Sequence, residues 1–126
     1  MIGYITLGTN DIDRATGFYD TLLAEVGAKR LMPIPKGFLY GSAPGQPMFG
    51  ITRPFDGEVA TVGNGTMIAL AVESPEVVDR VHAKALELGG KDEGPVGPRG
   101  DTGFYGGYFR DLDGNKLNCF CMVKPA

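Results

Sequence analysis

The side chains able to do chemistry are few. Cys119 and Cys121 stand two apart in an extended run, so both thiols point to the same side of one backbone, a poor geometry for a disulfide. A metal or redox pair would want a second cluster or a Cys-x-x-Cys spacing, and the two are read as reduced core residues. His82 is the only histidine. It sits beside Val78 and Val81 on a helical stretch and is read as structural, at the helix–sheet boundary or in solvent. What remains is a dispersed set: Tyr4, Phe49, Met67, Asn118 and Phe120, with Arg53 and Tyr105 at its rim. Gathered on one concave surface, these would offer aromatic faces and a thioether to a flat organic ligand. The Tyr4 hydroxyl and the Asn118 amide would orient that ligand by hydrogen bonds. Taken singly, Phe49, Met67 and Phe120 are ordinary core residues. Tyr4 and Asn118 are different, because polar groups in an apolar cavity need partners, either each other or a ligand and water.

Positioning them requires one folded domain, and the composition supplies it. The 126 residues are 43% hydrophobic and 21% charged, the balance of a soluble globular chain with enough length for one core. The formal net charge is -3 and the 12 Lys and Arg are scattered, which argues against nucleic acid as a partner. The chain opens Met1-Ile2-Gly3-Tyr4 with no basic stretch before an apolar run, and no apolar segment reaches membrane-spanning length. No membrane partner is expected, and a cytoplasmic location is the default.

The elements recur in two similar halves. Ile5 and Leu7 alternate with Tyr4 and Thr6 as a short strand. Asn10 or Asp11 then caps a helix whose apolar face is Ala15, Phe18, Tyr19, Leu22, Leu23 and Val26, stopped by Gly27. Three strand-sized pieces follow, separated by Pro35-Lys36-Gly37 and Ser42-Ala43-Pro44-Gly45. After a loose, glycine-bearing stretch the plan repeats: a strand at Ile68, Leu70 and Val72, a Ser74-Pro75-Glu76 helix start, a helix to Gly89-Gly90, and strands around Lys91, Phe104 to Arg110 and Lys116 to Met122. The fold class is therefore α+β, one domain over 1-126, with βαβββ modules at about 1-55 and 66-124 and a linker over 56-65.

Helices confined to one side would leave the other side of a curved mixed sheet to close around a central cup. Counting by twos puts Ile5, Leu7, Ile68, Leu70, Val72, Leu117, Cys119 and Cys121 under the outer helices. It assigns Tyr4, Thr6, Phe49, Ile51, Met67, Ala69, Lys116, Asn118 and Phe120 to the cup.

Two stretches carry a resemblance. Tyr4-Ile5-Thr6-Leu7-Gly8-Thr9-Asn10-Asp11, followed by Phe18-Tyr19-Asp20, and Phe109-Arg110-Asp111-Leu112-Asp113-Gly114-Asn115-Lys116-Leu117 are similar to the opening and the penultimate turn of vicinal oxygen chelate proteins. This is the superfamily of glyoxalases, bleomycin resistance proteins and extradiol dioxygenases, and the resemblance runs over almost the whole chain. Metal-dependent members place ligands on the first and last strands of each half. The matching positions are Tyr4, Phe49, Met67 and Asn118, where the family commonly has histidine at the Tyr4 and Met67 positions and glutamate at the Asn118 position. A thioether and a neutral amide are poor donors for divalent first-row metals, so neither a metal nor another cofactor is expected.

The resemblance therefore implies a small-molecule-binding protein that has lost the usual metal ligands. One alternative is a metal-free lyase or isomerase acting on a small organic substrate, with Tyr4 as proton donor and Asn118 or Arg53 stabilising negative charge; another is a metal-dependent lyase or dioxygenase whose ligands lie at other positions. Neither Glu73 nor Asp101 falls where a base inside the cup would be needed. The resemblance also implies a homodimer, a pairing that exposed edge strands and a flexible linker make reasonable. The loops at 33-37 and 95-102 are candidates for lids.

Overall fold

A computed structural model describes residues 1–124. Two compact units divide between Val62 and Gly63. Each is a four-stranded mixed sheet with one helix packed on one face, the α+β architecture read from the sequence.

In the first unit β1 (Tyr4–Gly8) leads to α1 (Ile12–Ala24), then to β2 (Lys29–Ile34), β3 (Gly37–Gly41) and β4 (Met48–Thr52). Asp11 caps α1 by accepting from the Arg14 backbone N–H at 3.0 Å, and Gly27, at φ 75°, turns the chain out of it. The strand order is β1-β4-β3-β2, with β1 parallel to β4 and the remaining pairs antiparallel. Phe18, Tyr19, Leu22 and Leu23 of α1 are buried, and the Tyr19 ring lies 4.9 Å from that of Phe49.

The second unit repeats the plan with β5 (Ile68–Ala71), α2 (Pro75–Glu87), β6 (Lys91–Pro98), β7 (Phe104–Arg110) and β8 (Lys116–Met122). Ser74 caps α2, and Pro75 occupies the first helical position, where its missing N–H leaves no bond unmade. The order is β5-β8-β7-β6, with β5 parallel to β8. Val78, Val81 and Ala85 are fully buried against Phe109, Leu117 and Cys119. Both cysteines are free and buried. His82 is buried at the helix–sheet boundary, its Nε2 3.1 Å from the Tyr108 carbonyl and 3.2 Å from Asp92 Oδ1.

Two parity assignments are inverted. The β1–β4 register sets Ile5 against Phe49 and Leu7 against Ile51, so Phe49 and Ile51 lie on the helix side. The helix needs large apolar side chains beneath it, and β4 supplies them there while presenting Gly50 on its other face. Tyr105 likewise points to α2, where its hydroxyl donates to Asp79 at 2.7 Å. The linker is also not a free tether, since Asn10 accepts from the Ala60 N–H at 2.7 Å and donates to the Ala60 carbonyl at 3.2 Å.

Candidate functional site

On the face of the second sheet away from α2, strand pairing aligns Ala69, Asn118, Tyr108 and Gly94 in one row. On one side of that row Lys116 lies opposite Arg110; on the other, Phe120 lies opposite Gly106. Gly106 has no side chain, and the Phe104 ring occupies that space, stacked on Phe120 at 5.2 Å between centroids with 6° between planes. The face thus carries charge at one end and a flat aromatic pair at the other.

Asn118 lies between them. It is only 1% exposed, and among the described residues neither its Oδ1 nor its Nδ2 has a hydrogen-bond partner. Burying an amide with no partner is costly, so a group left in this state is one for which the fold itself has no use. Of the charged groups here, Arg110 is engaged: it donates to Glu93 at 2.9 Å and to the Gly114 carbonyl at 3.0 Å. That contact holds the Glu93 carboxyl below its usual range.

Of the residues expected at the site, Asn118 and Phe120 share this face. Met67 lies just before β5, 40% exposed. Tyr4, at the start of the edge strand β1, is 61% exposed on the helix-free face of the first sheet. Phe49 and Tyr105 lie on the helix faces of their sheets and leave the set. Phe104 and Tyr108 were missed, although the alternation that puts Tyr105 under the helix puts both on the opposite face.

Arg53 lies elsewhere, in the wall of a concavity of the first unit. A cleft of about 540 Å³ at the end of the first sheet is walled by Thr6, Lys36, Thr52, Arg53 and the linker residues Phe55 and Val59. Lys36 Nζ donates to the Phe55 carbonyl at 2.8 Å and so fixes that wall. Asp56 lies in the same wall, so its carboxylate is available to offset the cations. Among the described residues the cleft contains no buried polar side-chain atom without a partner, which makes it the weaker candidate.

The donor set does not fit a divalent metal. In each half the position beside the first strand's residue is now fixed by register: Asn118 pairs with Ala69, and its counterpart opposite Thr6 is Gly50, not Phe49. Gly50 has no donor, and a Cβ there would lie 2.8 Å from Leu39 Cδ2 and 2.9 Å from Thr6 Cγ2. Among the described residues no three His, Cys, Asp or Glu side chains converge. Nor is any helix of the described residues long and apolar enough to cross a membrane.

Residues 1–119 match the model of the glyoxalase/bleomycin resistance protein/dioxygenase superfamily, and the chain belongs to that superfamily. A glyoxalase/bleomycin resistance protein from Albidiferax ferrireducens is 36% identical, with a TM-score of 0.88 and 99% of each chain covered. A hypothetical protein from S. aureus is 25% identical, with a TM-score of 0.72, 96% of this chain and 92% of that one. A genomically encoded fosfomycin resistance protein from Listeria monocytogenes shares the fold at 21% identity and a TM-score of 0.72, over 96% of this chain and 92% of that one. No curated protein matches the sequence.

Proposed function

We propose that this chain is a small-molecule-binding protein of the superfamily that works without a metal and takes a flat organic ligand on the helix-free face of its second sheet. The observation that carries this reading is the Asn118 carboxamide, buried with both polar atoms unpartnered beside the stacked Phe104–Phe120 pair. A ligand carbonyl and a ligand N–H or O–H would satisfy it, and the aromatic pair would cover the ligand's apolar part. Lys116, whose ammonium forms no hydrogen bond among the described residues, is the neighbour free to swing aside and admit it. Binding is favoured over catalysis because Glu93, the carboxylate that reaches this face, is tied to Arg110 and leaves no free base beside Asn118.

The test is titration of the 15N-labelled protein with a library of aromatic compounds. The Asn118 side-chain amide resonances should move with the ligand, and Asn118→Leu should abolish the effect. Shifts confined to the Thr6, Thr52 and Arg53 cleft would move the site to the first unit. A stoichiometric metal in protein purified through metal-free buffer would overturn the metal-free reading. As the working form we propose a homodimer, supported by Ile2 and Tyr4, 56% and 61% exposed beside the edge strand β1. A monomer in sedimentation equilibrium would refute it.

A further inference from the structure

The charges around Asn118 narrow the ligand further. Lys116 Nζ lies 5.6 Å from the centre of the Tyr108 ring, and Arg99 Cζ lies 5.4 Å from the same centre. Tyr108 is the register partner of Asn118. All three side chains are half-buried. The Arg99 guanidinium is held in place by the carbonyls of Pro95 and Gly97, which supply dipoles but no counter-charge. Among the described residues neither Arg99 nor Lys116 has a carboxylate within ion-pair distance, and Glu93, near enough to Lys116 to feel its charge, is bonded to Arg110. Two half-buried cations therefore flank one aromatic ring, and the carboxylate within electrostatic range of Lys116 is already hydrogen-bonded to Arg110. Cation–π attraction compensates only part of their lost hydration and mutual repulsion. An anion placed beside Tyr108 would relieve both.

The rest of the row sets the shape of the molecule that carries the anion. Residues two apart on a strand are separated by about 7 Å. Beside Asn118 on β8, Lys116 lies one such step to one side and Phe120 one step to the other. Resting on the reading of this face as the ligand site, we infer that its ligand is an aromatic carboxylate. The carboxylate would lie between Lys116 and Arg99, the middle of the molecule against the Asn118 amide, and the ring on the Phe104–Phe120 stack.

The experiment compares matched pairs of probes, the carboxylates from benzoate through 3-phenylpropanoate to 4-phenylbutanoate and the neutral primary amide of each. Binding is followed by the side-chain amide signals of Asn118 and by calorimetry. The inference expects one chain length to bind at least about tenfold more tightly as carboxylate than as amide, the difference a charge-assisted hydrogen bond makes over a neutral one. Lys116→Met should erase most of that preference. Lys84→Met, which removes the same charge from α2 on the other side of the sheet, should leave both affinities unchanged. Equal binding of acid and amide at Asn118 would sink the anionic ligand but leave the binding site standing. Failure of every probe to move the Asn118 signals, or binding that survives Asn118→Leu, would overturn both. A preference that persists in Lys116→Met would show that the carboxylate lies elsewhere.

Discussion

A Cβ built on Gly106 would lie 3.2 Å from Asn118 Nδ2 and 2.8 Å from Phe104 Cε1. The missing side chain of one strand is thus what allows the amide and the ring of the candidate site to meet. Gly106 has no positive φ, so alanine is acceptable to the backbone and the penalty is purely one of space. The Cys119 carbonyl, 3.1 Å from the same point, cannot yield as a side chain can. Gly106→Ala should lower stability by about 1–3 kcal/mol, as overpacking does. It should also break the Phe104–Phe120 stack. Urea unfolding with near-ultraviolet circular dichroism reads both, and an unchanged midpoint with an unchanged aromatic signal would contradict the packing described.

Asn118→Leu has the opposite sign. Leucine has nearly the shape of asparagine and no polar atoms, so it removes the unmet hydrogen-bonding demand without opening a cavity. The free protein should gain on the order of 1–3 kcal/mol, the penalty of a buried polar group without a partner. A destabilised Asn118→Leu would mean that the amide serves the fold, and the reading of the site would fail with it.

How far the sequence carried these conclusions depended on which face-to-face relationships are local. Both helix starts, at Asp11 and Ser74, and the strands at Phe104–Arg110 and Lys116–Met122 were legible because caps, glycine stops and alternation act within a few residues. The face of β4 was not. Phe49 and Gly50 cannot be assigned to sides from β4 alone, because the answer lies in the register with β1, 44 residues earlier in the chain. Tyr105 was read at the rim with no face assigned; the β7–β8 register puts it under α2 and Phe104 and Tyr108 on the face of Asn118. The turn motif was legible but its mechanism was not. Besides Gly114 at φ 90°, it is held by the Asp111 carboxylate, which accepts from the backbone N–H groups of Asp113 and Asn115 and from Asn115 Nδ2, each at 2.9 Å.

That carboxylate supports a prediction of its own. Asp111 is 5% exposed, and Asn115, also buried, would lose the acceptor for two of its N–H groups in Asp111→Ala. Hydrogen bonds to a charged acceptor contribute about 1.5–3 kcal/mol each, so the variant should lose at least about 2 kcal/mol. Because the turn sets the β7–β8 register, Asn118 and Tyr108 should also lose their alignment. A variant of native stability would show that the turn does not depend on the Asp111 carboxylate.

The two cysteines should be chemically silent in the folded protein. Burial pushes the Cys119 thiol up to about 12, and Cys121, 3% exposed, is raised by burial and by the acidic Glu76 and Asp79. Thiolate is the reactive form, so an aromatic disulfide reagent at mildly alkaline pH should label neither residue until denaturant is added. Rapid labelling of the native chain would place one of the thiols outside the core.

The first unit should lose stability at both extremes of pH, through one cluster. Arg30 donates to Asp20 at 2.7 and 2.8 Å, and the buried Tyr40 hydroxyl donates to the same carboxylate at 2.7 Å. The Arg30 hydrogen bonds hold the Asp20 carboxyl below its usual range against the opposing effect of burial. A depressed folded-state value stabilises above the unfolded value of 3.8, and that stability is lost as pH falls through the folded value. Burial, and then the hydrogen bond to Asp20, raise the Tyr40 phenol. Its contribution is complete below the unfolded value of 10.0 and declines as pH rises through the folded one. The ion pair is 40–45% exposed and screened by solvent, so by itself it contributes no more than about 1 kcal/mol. Asp20→Asn should therefore be less stable than the parent near neutral pH and converge with it in strong acid. Tyr40→Phe should flatten the alkaline decline. A gap between Asp20→Asn and the parent that widened as pH fell would reverse the sign and refute the assignment.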